Sequence, residues 1–330
     1  MRSRLKDRHR LAFREIRDIV AAVRNSIPCQ TGLAGVQLEL EAMAAALEAS
    51  DDYRVLRRLR ARPKLEVPVG TKVRTGLFVD TETTGLDPSR DEIIELAMTP
   101  FVYGLDGVIY EVRESFHRFR EPSKSIPQEI TAITGISDAM VAGHTIDSEE
   151  VASFVGSASI IVAHNAVFDR RFLERFSDAF STKPWACSMT QIDWVTEGHE
   201  GTKLAYLAVG AGFFYEKHRA VNDCAAAIEL LALPLPSSGM PALSHLLERA
   251  RRPTWRVWAE GAPFDLKEVL KARGYRWNDG TNAGPRSWYI DLSDDDKAAE
   301  LLFLEREIYR SEANLTARKI DAYDRFSDRC

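Results

Sequence analysis

Gly76-Leu77-Phe78-Val79-Asp80-Thr81-Glu82-Thr83-Thr84-Gly85-Leu86 is the stretch from which the rest of this 330-residue chain can be read. Residues 76–79 are a short apolar run with aromatic and β-branched content, the pattern of a buried strand. The run ends in Asp80-Thr81-Glu82. Alternate side chains of a strand share a face, so Asp80 and Glu82 project together from one end of a sheet. Two carboxylates so placed repel by roughly 4 kcal/mol at about 4 Å when the effective dielectric is near 20. A fold accommodates them when one takes a proton or a cation lies between them, and an all-oxygen pair suits a hard divalent ion such as Mg²⁺. By itself the pair is equally well a solvated strand end.

Two later segments repeat the theme. Residues 159–163 form another buried-strand run that leads into His164-Asn165-Ala166-Val167-Phe168-Asp169, where Phe168, Phe172, Leu173 and Phe176 show that a helix has begun. His218-Arg-Ala-Val-Asn-Asp223-Cys opens a helix predicted over 220–233, with Asp223 in its first turn or two. Singly, Asp169 could cap a helix, Asp223 could favour a helix N-terminus through the dipole, and His218 could be a surface histidine. Strands are expected over 93–103 and 108–119, turned at Asp106-Gly107, and over 185–188. Helices are expected over 127–133, 148–154 and 204–211. Strands alternating with helices place this part of the chain in the α/β class.

Outward from this centre, residues 1–60 read as helical. Leu5, Phe13, Ile16, Ile19, Val20, Val23 and Ile27 fall on one face, and Leu40, Met43 and Leu47 on a second helix. Asp51-Asp52 is expected to cap a third that carries Val55, Leu56 and Leu59. The Arg2 to Arg10 basic run reads as a solvated face more readily than as a phosphate contact. Pro63, Pro68 and Gly70 mark a linker, and 234–241 is punctuation. Beyond it a helix through Leu247, strands over 255–258, 274–277 and 287–292, and helices over 264–272 and from Ser293 past Leu304 suggest a small α+β module. On it Arg273, Tyr275, Arg276, Trp277, Arg286, Trp288 and Tyr289 gather cations and aromatics, a mix that serves nucleic acid or a small core equally well. The domains expected are 1–70, 71–235 and 236–330.

The net charge of −5 argues against coating nucleic acid by bulk positive charge but leaves a local basic groove open. Four scattered cysteines without a CxxC pair suit a reducing cytoplasm, and the expected location is cytoplasmic. No apolar run approaches membrane-spanning length, so no membrane partner is expected.

Taken in order, DTETTGL at Asp80, HNAVFD at Asp169 and HRAVNDC at Asp223 resemble the DEDD superfamily of 3′–5′ exonucleases in its histidine-bearing branch. They are similar in particular to the epsilon-type proofreading subunits of bacterial DNA polymerase III and their stand-alone relatives. The resemblance covers roughly 74–233, includes ITGI at 133–136, and shows no departure from the pattern. It implies an RNase H-like fold, a mixed central sheet flanked by helices, and two divalent ions, Mg²⁺ or Mn²⁺. Asp80 would bridge both ions, Glu82 and Asp223 would complete one, Asp169 would support the other, and His218 would be the general base. Thr83, Thr84, Gly85 and Leu86 are family positions that cradle the terminal nucleotide. The implied activity is release of nucleoside 5′-monophosphates from single-stranded 3′ ends, DNA ahead of RNA, in proofreading or repair, with a polymerase or a second copy as protein partner. An exoribonuclease, or a silent scaffold with the same fold, are the alternatives. Chemistry agrees: a phosphodiester needs a nucleophilic water and relief of charge on the leaving oxygen. Two ions about 3.5–4 Å apart supply both, four carboxylates offset their charge, and a histidine, with a pKa near 6.5, can take the water's proton.

Overall fold

The computed structural model describes residues 33–50, 52–280 and 284–329, with two compact units, 1–56 and 57–330. In the first, helix α1 (Leu33–Glu48) carries Leu40, Met43 and Leu47 exposed. The helix expected over Leu5 to Ile27, the Arg2 to Arg10 run and the Asp51 cap lie outside the described residues.

In the second unit, the third helix expected around Val55 to Leu59 does not form. Arg57–Arg58 is instead a two-residue strand, β1, paired in parallel with Phe213–Phe214. Arg57 N–H donates to Gly212 O at 3.0 Å and Leu59 N–H to Phe214 O at 2.9 Å. Backbone donors that find partners on an existing edge outweigh a weak local preference for helix.

The main sheet has six strands. β2 (Val73–Thr83) is its spine, antiparallel to β3 (Ile93–Gly104) on one side and parallel to β6 (Ile160–Ala163) on the other, with β7 (Trp185–Cys187) beyond β6. The single strand expected over 108–119 is two, β4 (Ile109–Val112) and β5 (Phe116–Phe119), both on the outer edge of β3. Pro100 explains the gap. Its carbonyl faces that edge, accepting from Arg113 N–H at 2.8 Å, so its missing N–H falls there too and interrupts the ladder.

Alternate residues of β2 bury on opposite faces. Leu77 and Val79 join Val151, Val155, Phe172 and Leu173 of helices α4 (Ser148–Gly156) and α5 (Ala166–Phe176). Two short helices, α2 (Gln128–Thr134) and α3 (Asp138–Val141), precede α4. Phe78 joins Ala220, Cys224, Ala227 and Leu231 of α7 (Ala220–Ala232), which follows α6 (Leu204–Gly210) and β8 (Phe213–Phe214). The sheet is therefore covered on both faces, the RNase H-like arrangement expected. Gly76 sits where β2 meets Phe101 of β3, and an added Cβ would fall 2.3 Å from the Phe101 ring. Gly76→Ala is expected to cost roughly 1–3 kcal/mol by overpacking, measured by denaturant titration.

After α8 (Ala242–Arg251), a second sheet of order β10-β11-β9-β12 is antiparallel throughout: β9 (Thr254–Ala259), β10 (Arg276–Trp277), β11 (Trp288–Leu292) and β12 (Ala317–Ile320). Helices α9 (Lys267–Ala272) and α10 (Asp294–Phe303) accompany it, and Val257, Ala259, Leu270, Leu304 and Ile308 form its core. The chain then returns to the first sheet. Trp185 N–H donates to Ala322 O at 2.7 Å. The guanidinium of Arg170, on α5 and with no solvent exposure, donates to the carbonyls of Tyr323 and Arg325. Among the described residues, no helix is long and apolar enough to cross a membrane.

Candidate active site

The face of β2 that buries Phe78 continues to Asp80 and Glu82, and α7, packed on that face, delivers Asp223. One carboxylate oxygen from each of the three lies within 4.8 Å of the others. Asp169 arrives from the opposite face on α5. Its Oδ1 accepts from Thr81 N–H at 3.0 Å and from Thr81 Oγ1 at 2.9 Å, so the residue between the two strand acids fixes it.

Crowding shows in the protonation of these groups. Burial, then the charges of Asp169, Asp223, Glu82 and Glu95, raise Asp80 well above the ordinary carboxylate value. Glu82 is pushed up to about 8 by burial and by Asp223, Glu95 and Asp169, while Arg219 pulls it down. Burial lifts Asp169 to about 7 against the two bonds from Thr81. Asp223 is raised by burial despite donation from Tyr215 Oη at 2.9 Å and from Arg219 N–H at 3.0 Å. Carboxylates held this close fit a bound divalent cation: the donor set is all oxygen, dense in negative charge and short of protein cations.

His218 is half-buried just before α7, with φ of 62°. It lies outside the three-carboxylate group. The left-handed backbone is uncommon for a residue with a Cβ and clusters at functional sites. At the end of β2, Thr83 is buried and spends its hydroxyl on Gly85 O, and in the loop beyond it Thr84 Oγ1 accepts from Glu92 N–H at 3.0 Å. Gly85 lies so close to Asp91 that a Cβ would meet its carboxylate at 2.5 Å. Leu86 is 81% exposed, free to meet a ligand. His164, left outside the catalytic set, bonds Thr202 O at 2.8 Å and Ser188 Oγ at 3.0 Å; burial pushes its pKa down to about 4, so it is a neutral structural histidine.

Sequence reasoning missed Glu95 and its neighbours. Glu95 lies opposite Glu82 in the β2–β3 register and is fully buried. Its Oε1 accepts from His117 Nε2 at 2.6 Å and Arg219 Nε at 3.2 Å, and its Oε2 from Ala220 N–H at 3.1 Å. Burial would raise its pKa, but the bonds from His117 and Ala220 and the Arg219 charge outweigh that and leave it below the ordinary value. The available signal was a lone acid inside the otherwise apolar run of β3, which a fold keeps only if it is paired.

Residues 77–231 match the RNase T exonuclease family. The match takes in just under half of the chain and is to exonucleases. The exonuclease segment is 29% identical over 164 residues to the DNA polymerase III epsilon subunit of Aquifex aeolicus, covering 47% of this chain and 78% of that one. It is 35% identical over 122 residues to the PolC-type DNA polymerase III of Thermotoga maritima, covering 36% of this chain but only 8% of the polymerase, so the chain spans a small fraction of that relative. Among solved structures, E. coli Exonuclease I in complex with a dA16 oligonucleotide is similar at a TM-score of 0.45 and 16% identity, covering 67% of this chain and 63% of that one.

Proposed function

We propose that the chain is a metal-dependent 3′–5′ exonuclease that removes nucleoside 5′-monophosphates from single-stranded DNA ends. The observation that carries this reading is the convergence of Asp80, Glu82 and Asp223 at the strand end of an exonuclease-family segment. The names of its sequence relatives, DNA polymerase III proteins, favour DNA over RNA and a role beside a polymerase.

In this reading Asp80, Glu82 and Asp223 hold divalent metal, with Asp169 supporting from the Thr81 side. Mg²⁺ or Mn²⁺, two ions in the arrangement proposed, would lower the pKa of water and offset charge on the leaving oxygen. His218 takes the proton of the attacking water. The water oxygen bonds to phosphorus, the P–O3′ bond breaks, and the released 3′-oxygen collects a proton from solvent. Thr81 keeps Asp169 aimed, and Tyr215 keeps Asp223 aimed. Leu86, exposed beside the acids, meets the terminal base, with the Thr83–Gly85 loop shaping the approach. Residues 71–235 form the catalytic domain, preceded by a helical segment and linker. Residues 236–330 form a module that handles longer strands, with half-exposed Trp277 at its edge.

The test is a degradation ladder on end-labelled DNA and RNA oligomers with and without Mg²⁺, which reports polarity, sugar and metal together. A ladder from the 3′ end of DNA that vanishes in chelator supports the reading; cleavage undiminished by chelator overturns it. His218→Asn, a residue that tolerates the left-handed backbone, is expected to lower kcat about 10²–10⁴-fold while metal affinity stays unchanged, measured by single-turnover kinetics and calorimetry.

A further inference from the structure

The carboxylates at the strand end are negative, and the substrate is negative as well. Two divalent ions would offset the four acids without leaving a surplus to draw a phosphate chain inward. A cation stands beside them in Arg219, between His218 and the first residue of α7. Its guanidinium carbon lies 5.3 Å from the centroid of the Phe119 ring, and Nε is bonded to buried Glu95. Among the described residues, the two terminal nitrogens of this guanidinium have no protein partner, and the side chain is 35% exposed. Glu95 is meanwhile served by His117 and by Ala220 N–H, so it holds Arg219 by one nitrogen and leaves the fork outward. A planar fork of this kind, pre-oriented by stacking and one ionic bond, is matched to phosphate.

We propose that Arg219 is a phosphate-binding residue of this site, donating through its terminal nitrogens to a non-bridging oxygen of one of the last three phosphates of the bound strand. Glu95 and Phe119 are its positioning residues. The proposal rests on the nuclease reading for its substrate, and the test separates the two.

Binding of a 5′-fluorescein decathymidylate is measured by anisotropy in CaCl₂, for the natural strand and for three strands in which the first, second or third linkage from the 3′ end is an uncharged methylphosphonate. Wild type, Arg219→Gln and Arg219→Lys are compared, and the degradation of the natural strand by wild type in Mg²⁺ is followed alongside. Arg219→Gln is expected to weaken the natural strand about 10–100-fold, as for loss of a charged hydrogen bond, with Arg219→Lys between the two. At one linkage the loss should shrink below about 2-fold, since the partner charge is already gone. A loss of equal size on all four strands marks a purely structural arginine and overturns the proposal, as does no loss at all. Coupling without any degradation would keep the phosphate contact and sink the nuclease reading; degradation without coupling would do the reverse.

Discussion

Asp80→Asn is expected to abolish hydrolysis and, in chelator, to raise the melting temperature above that of wild type. The wild-type carboxyl is buried among Asp169, Asp223, Glu82 and Glu95, all pressing it toward its protonated form. Asparagine keeps the shape and removes the charge, a gain on the order of 1–2 kcal/mol of the kind that active sites forgo. The sign of the pH dependence follows from the same groups. Glu82 moves from 4.5 to about 8 on folding and Asp169 from 3.8 to about 7. The folded chain thus retains protons that the unfolded chain has released, so the stability these two groups contribute without metal is full below about pH 4, falls as pH rises toward 8, and levels beyond. Bound Mn²⁺ or Mg²⁺ must displace those protons and should raise the melting temperature more at pH 8 than at pH 5.5. Calorimetric scans across this range, with and without metal, check both halves. A metal-induced rise no larger at pH 8 than at pH 5.5, or an asparagine variant that still degrades DNA, would refute the site.

Removal of 321–330 is expected to destabilise the exonuclease segment itself, by roughly 3–5 kcal/mol, because it takes two acceptors from a buried guanidinium. Arg170 donates to Arg325 O at 2.7 Å and to Tyr323 O, pairs with Glu174 at 2.8 Å, and lies over the Trp185 ring at 5.3 Å. Truncation removes both carbonyls and leaves the guanidinium in the core. Arg170→Ala should cost a similar amount. Tyr323→Ala is the control: its side chain is exposed and its backbone carbonyl persists, so the change should stay within about 0.5 kcal/mol. Asp169 precedes Arg170 on α5, so the truncated chain should also lose turnover at temperatures where it remains folded. Chemical denaturation of the three variants decides the matter.

Much of the first sheet was legible because β2, β3 and β6 are apolar runs, and periodicity of two places Asp80 and Glu82 together at the end of β2. What escaped was written in tertiary contacts. β1 forms because Gly212 and Phe214 offer carbonyls to it, and nothing between 57 and 58 announces that. β4 and β5 separate because Pro100, on a neighbouring strand, lacks a donor. Glu95 is one acid in the apolar run of β3, and only the register sets it opposite Glu82. β12 and the return of the chain to Trp185 carry no local mark, since the bonds are made by backbone carbonyls that every residue owns. The period of two set Asp80 and Glu82 on one face, but only the packing of α7 shows Asp223 within 4.8 Å of both and only the fold turns Asp169 toward Thr81.

The β2–β3 register has a genetic corollary. One added codon between positions 76 and 82 would rotate everything downstream of it to the wrong side, sending acids into the α5 interior and threonines to the catalytic edge. In-frame insertions there should behave as null alleles, while insertions in the exposed turn at Ser89-Arg90 should be silent, so a scanning library could trace the spine of the sheet by phenotype alone.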